Sequence, residues 1–150
     1  MGIPMTTEQE HARKKLRENY SERAVDHMLN PRNKRRVPRP DGYAKATTDG
    51  GETVEFFIHV RGNVLTEIAF ETDGCAATLA CASAAAELAA NKTLTQAPAA
   101  VSARAIIRAL DGLPRGNIHC APFVAEVFHR AVADAWNHRD APWKSLYRKV

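Results

Sequence analysis

No stretch of the sequence approaches the 18 or so continuous apolar residues of a membrane span. Its opening, MGIPMTTEQEHARKK, lacks the apolar core of a secretory signal. The two absences together predict a cytoplasmic protein. Cysteine is scarce: Cys75, Cys81 and Cys120 are odd in number and well separated, so they form no disulfide framework. In a reducing compartment such residues are buried, reactive or metal-bound. There is also no readable Ser-His-Asp arrangement, no phosphate-binding loop and no convincing pair of carboxylates, so nothing points to an enzyme. The HRD at 138–140 shares three letters with a kinase catalytic loop, but the rest of that signature is missing.

What is present suits one globular domain. The 150 residues are 45% apolar, enough for a single core. Net charge is +4 and the pI near 9.1, with the excess gathered in NPRNKRRVPRP, which carries Arg32, Lys34, Arg35, Arg36 and Arg39. A nucleic-acid surface would interleave such charges with aromatics or set them along a recognition helix. Here three prolines interrupt any helix and no aromatic intervenes. That argues against nucleic acid and leaves a docking surface for a protein partner, or a solvated loop.

Periodicity places the elements. Thr7 with Glu10 three residues later reads as a capping box opening a helical pattern to about Leu29. Pro31 ends it, and Asp41–Gly42 reads as a turn. TVEFFIHV sets Val54, Phe56, Ile58 and Val60 on one face, and VLTEIAFE does the same with Val64, Ile68 and Phe70. The Arg61-Gly62-Asn63 turn between them makes a β-hairpin. YAKATT is a weaker third strand. Helices then follow: an alanine-rich one from Cys75 to Ala90, a second closed by Gly112, and a third from near Pro122 with a stripe of Phe123, Val127, Phe128, Ala131, Ala135 and Trp136. Helix, strands, helices in that order predict an α+β fold.

Cys75 and Cys120 each fall at the start of a helix, where unpaired N–H groups and a partial positive charge favour a thiolate. His119 adjoins Cys120. Two thiolates and an imidazole make a soft site suited to zinc or to iron–sulfur chemistry. Cys81, six residues beyond Cys75, faces elsewhere on the helix and reads as a packed residue, with the role of spare ligand held in reserve. His27 and His59 lack partners at ligand spacing and read as packed or surface residues.

YSERAVDHMLNPRN, GETVEFFIHVRGNVLTEIAFETDGCAATLACASAAAEL and GLPRGNIHCAPFVAEVFHRAVADAW, taken in order from about Tyr20 to Trp136, resemble the IscU/NifU N-terminal-domain family of iron–sulfur cluster assembly scaffolds. The resemblance implies a small antiparallel three-stranded sheet with helices mainly on one face. It divides the chain into a helical extension (1–19), a scaffold domain (20–137) and a basic, aromatic tail (138–150). It implies that iron and a labile [2Fe-2S] cluster are handled at a site where three loops meet, with zinc there in the purified protein. It also implies a cysteine desulfurase and cluster-accepting proteins as partners. By position Cys75, His119 and Cys120 match metal ligands, with Cys120 the persulfide acceptor.

Two departures qualify this. Where the family reads Cys-Gly-Asp, the chain has Gly50, Gly51 and Glu52. The first thiolate is lost, and the carboxylate is one methylene longer. Cys75, His119, Cys120 and Glu52 then form a mixed four-donor set; the alternative is a module of the same fold holding zinc or no metal. A cluster with so few thiolates can be bridged between two chains, so a homo-oligomer is among the expected states. The second departure follows Leu113-Pro114, where Arg115, Gly116 and Asn117 replace the segment that a dedicated Hsp70-type chaperone reads in the family, which argues against that partner.

Overall fold

The structure is a computed structural model that describes residues 6–140. Most of the tail set apart at 138–150 therefore lies outside the described residues, as do the first five residues. Among the described residues there are six α-helices and three strands: α1 (Thr7–Arg17), α2 (Glu22–Leu29), β1 (Gly42–Thr47), β2 (Thr53–Arg61), β3 (Val64–Thr72), α3 (Ala76–Ala89), α4 (Ala97–Ala100), α5 (Ala103–Ala109) and α6 (Cys120–Asp140). The strands form one antiparallel sheet in the order β1-β2-β3, the α+β architecture expected.

Alternation in β2 sends Val54, Phe56 and Ile58 to the inner face, all fully buried. The ring of Phe128 from α6 stands edge-on to Phe56 at 5.5 Å, and Phe70 of β3 lies 6.1 Å away. Burying each such ring contributes about 1.5–3 kcal/mol. α3 runs through the middle of the molecule, and its alanines are buried almost all round. Their short side chains let it pack against β3, α2 and α6 at once. On the outer face Phe57 joins Val37 and Ala69 in a small second cluster.

Five local expectations are corrected. The capping box uses Thr6 and Gln9, one residue earlier than Thr7 and Glu10. The helical pattern to Leu29 is two helices, because Ser21 accepts the Ala24 N–H at 3.0 Å and starts α2 afresh. Gly42 is no turn residue but the first of β1, where a Cβ would collide with the Ala131 carbonyl oxygen of α6. Trp136 is 41% exposed, and Val124 stands in the buried stripe in its place. A bulge also resets β3: pairing slips between His59 and Val60, leaving Thr66 over, so that Leu65 rather than Val64 enters the core with Ile68.

The segment after α2 lies along the β3 edge. Phe70 donates its N–H to the Asn33 carbonyl at 3.0 Å and accepts the Arg35 N–H at 2.9 Å. That strap covers a sheet edge that would otherwise offer unpaired backbone groups. No helix among the described residues is long and apolar enough to cross a membrane.

Candidate metal centre

Three connections meet at one end of the sheet. The β1–β2 turn is closed by Thr48, which receives the Gly51 N–H on its carbonyl at 2.9 Å and the Glu52 N–H on its hydroxyl at 3.1 Å. Gly51 sits at φ 91°, a backbone region that favours glycine. The β3–α3 connection is tied to this turn, since Asp73 accepts the Thr53 N–H at 2.7 Å and Thr72 donates its hydroxyl to the Thr53 carbonyl at 2.7 Å. The third connection is the short 3-10 turn Arg115–Asn117 that leads into α6 at Cys120.

Cys75 is the N-cap of α3 and makes no capping bond with its own side chain. The cap comes from the neighbouring turn instead: Glu52 Oε1 accepts the Cys75 N–H at 2.9 Å. Its other oxygen, Oε2, accepts the Thr78 hydroxyl at 3.4 Å. In an ordinary capping box that carboxylate would come from the third residue of the same helix.

The Thr78 hydroxyl is the meeting point. It lies 3.5 Å from Cys75 Sγ and 3.5 Å from Cys120 Sγ. His119 Nε2 stands 3.9 Å from Cys120 Sγ. The structure thus brings Cys75, Cys120 and Glu52 together around one hydroxyl, with His119 beside them. As the side chains stand, no three His, Cys, Asp or Glu among the described residues are gathered closely enough to hold an ion. The chemistry of the donor set suits zinc or iron: two sulfurs, an imidazole and a carboxylate. The cradle around it is shared by exposed Cys75 and His119 and buried Cys120.

Electrostatics correct one expectation. Burial pushes the Cys120 thiol up, the Thr78 hydrogen bond pulls it back, and the Cys75 and Glu52 charges push again, for a net rise. The helix start therefore does not by itself lower the Cys120 thiol. Cys81 is fully buried in the core; burial and the two other sulfurs push its thiol up. Tyr20 closes one side of the site, its hydroxyl 3.4 Å from Asn117 Oδ1. Burial and the neighbouring sulfurs raise its pKa.

Of these, Thr78 and Tyr20 escaped the sequence reading. A cysteine at an N-cap position is a poor capper, and that is the one sequence signal that could have pointed to further contacts at the start of α3.

The basic segment lies elsewhere, running from the helical side at Arg32 along the β3 edge to the outer face of the sheet. Arg32 pairs with Asp26 and Glu87, Lys34 with Glu71, Arg35 with Glu67, and Arg36 with Glu55. Arg36 also stands 5.0 Å over the Phe57 ring. Arg39 sits at φ 49° on the same exposed stretch. Burial opposes the charge of Glu55, but the Tyr43 hydroxyl and Arg36 outweigh it and hold the carboxyl below its usual range. Most of the positive charge is thus matched within the fold. His27 is buried against Ser83, and His59 contacts the Pro38 carbonyl.

Comparison with known proteins adds to this geometry. The profile of the family described as NifU-like N terminal domain matches residues 19–141. Iron-sulfur cluster assembly scaffold protein IscU 1 of Archaeoglobus fulgidus is 35% identical over 116 residues, 77% of this chain and 75% of that protein. The scaffold protein IscU of Escherichia coli is 31% identical over 127 residues, 81% of this chain and 98% of its own length. Among solved structures, a nitrogen-fixing NifU-like protein (N-terminal) from Brucella abortus superposes with a TM-score of 0.66 at 16% identity, covering 81% of this chain and 97% of that one. A putative iron-sulfur cluster assembly scaffold protein for the SUF system from Fervidobacterium islandicum gives 0.55 at 16% identity, covering 79% and 94%. At that identity the two structures speak for the fold alone.

Proposed function

The chain belongs to the NifU-like N-terminal domain family, that of the iron–sulfur cluster assembly scaffolds, and from that premise we propose that it takes iron or a labile [2Fe-2S] cluster as cargo through Cys75, His119, Cys120 and Glu52. The observation that carries this reading is the convergence of two sulfurs and a carboxylate from three separate loops on the Thr78 hydroxyl. Gly50 offers no donor, so the set is mixed rather than all-thiolate, and zinc fits the same four donors.

Cys120 is the persulfide acceptor in this reading. Its sulfur, deprotonated, attacks the outer sulfur of a desulfurase persulfide; the donor's S–S bond breaks, its thiolate leaves, and a Cys120 persulfide forms without net oxidation. The desulfurase and the cluster-accepting proteins are thus its partners, with the strap of Arg32, Lys34, Arg35, Arg36 and Arg39 a docking surface distinct from the site. The scaffold domain spans residues 20–137. No substrate turnover is assigned to it.

A second reading is favoured by one observation. Glu52 already caps α3, which favours a module of this fold that holds no metal, or zinc without that carboxylate.

Anaerobic reconstitution with iron, cysteine and a desulfurase tests the first reading. It should give sulfur-to-iron charge-transfer absorption that Cys120→Ala abolishes, read beside the mass of the product in solution to separate a cluster on one chain from one shared by two. A colourless product, under conditions that load an ordinary scaffold, would leave the second reading standing.

A further inference from the structure

The oxygen at the centre of the donor cluster belongs to a residue outside the proposed ligand set. Thr78 is 1% exposed and occupies the first turn of α3. Its Oγ1 lies within 3.5 Å of both Cys75 Sγ and Cys120 Sγ and 3.4 Å from Glu52 Oε2. A β-branched side chain on a helix has few χ1 settings, and Thr78 is held in one of them from behind. A Cβ placed on Gly74 would stand 2.9 Å from both the Thr78 Cβ and its methyl carbon, so the methyl packs against bare glycine backbone. The hydroxyl is left facing the three donors.

A hydroxyl carries one proton and two acceptor lone pairs. It therefore donates to one of the three groups at a time, while keeping the others aligned around the same point.

We propose that Thr78 is the positioning residue of this site: its hydroxyl holds Cys75, Cys120 and Glu52 around one point and goes on hydrogen-bonding to these ligands when a cation is bound. The proposal rests on the reading of these residues as ligands. Thr78 touches the ligands, not the cargo, and in this it acts as outer-shell groups do at metal sites. The competing view is that Thr78 only fills space at a buried helix start, where any residue of its shape would serve.

Cobalt(II) separates the two, since its thiolate charge-transfer and ligand-field bands report both affinity and geometry. In the full chain, Thr78→Val keeps the shape and removes the hydroxyl, and it should weaken cobalt binding about 10–100-fold and shift the bands. Thr78→Ser should restore both to near the wild-type values. Should the valine variant fail to fold by circular dichroism, Thr78→Ser against Thr78→Ala isolates the hydroxyl, because both lack the methyl. Equal cobalt affinity and identical spectra with and without the hydroxyl would overturn the positioning role while leaving the ligands in place. A wild-type protein that takes up no cobalt would sink the ligand reading, and this proposal with it.

Discussion

Glu52 receives the backbone N–H of Cys75 at 2.9 Å, so a carboxylate from the β1–β2 turn closes the start of α3. The Glu52 side chain thus has a mechanical task at the start of α3. Glu52→Ala leaves the Cys75 N–H uncapped and should cost about 0.5–2 kcal/mol. In a chain of this size that is a melting-point drop of about 2–4 °C per kcal/mol. Glu52→Gln retains an acceptor oxygen and should melt close to wild type. Thermal denaturation of metal-free protein compares them, and equal melting points for all three would show that the cap contributes nothing.

The thiolate that the family resemblance places at residue 50 can be supplied by mutation. A Cβ on Gly50 would meet only the Thr48 hydroxyl, at 3.8 Å, and the position is exposed. Gly50 is not among the residues at positive φ, unlike Gly51 beside it, so a side chain costs no backbone strain there. Gly50→Cys should fold as wild type, take up more iron and sulfide on reconstitution, and lose its colour more slowly under chelator. Absorption against time checks this. Unchanged loading would mean that the turn does not bring residue 50 to the site.

How much of this could be read in the sequence divides along physical lines. Alternation in Val54, Phe56 and Ile58 speaks directly of one buried face, and the Gly62 turn of a hairpin. The adjacency of His119 and Cys120, with Pro122 two residues on, announces a helix start carrying ligands. What stayed hidden depends on contacts between distant segments. Thr66 leaves the apparent alternation of β3 intact although it is the bulged residue. Gly42 is glycine because α6 crosses it, a fact no local pattern carries. Thr78 lies among alanines in CAATLAC as an unremarked helix residue until two other loops close on it.

Acidification should weaken the fold through His27. The ring is 6% exposed, its Nδ1 is 2.7 Å from Ser83 Oγ, and that oxygen accepts the Arg32 N–H at 2.8 Å. Burial lowers its pKa from 6.5; Arg32 and Arg23 add to the effect, while Glu87 and Asp26 oppose it. Below pH 6.5 the unfolded chain therefore binds more protons at this position than the folded one, so stability falls as pH drops through that range and levels off below the folded-state value. Urea unfolding at a series of pH values should show this slope in wild type and a flatter one in His27→Gln. Parallel slopes would place the acid sensitivity in other groups.

Cys81 decides between a third sulfur ligand and a packed side chain. It is fully buried, six residues into a helix whose start holds Cys75, and burial keeps its thiol protonated. To reach the site, the first turns of α3 would have to unwind, breaking the Glu52 cap and the Thr78 contacts together. Iodoacetamide on the native protein should therefore label exposed Cys75 and spare Cys81, as mass spectrometry of the digest would show. Cys81→Ala removes one buried sulfur, so it should destabilise the fold by about 1 kcal/mol while leaving zinc stoichiometry and affinity unchanged. A loss of zinc in that variant without a matching loss of stability would make Cys81 a ligand after all, and would mean that α3 opens at its N-terminus when metal is bound.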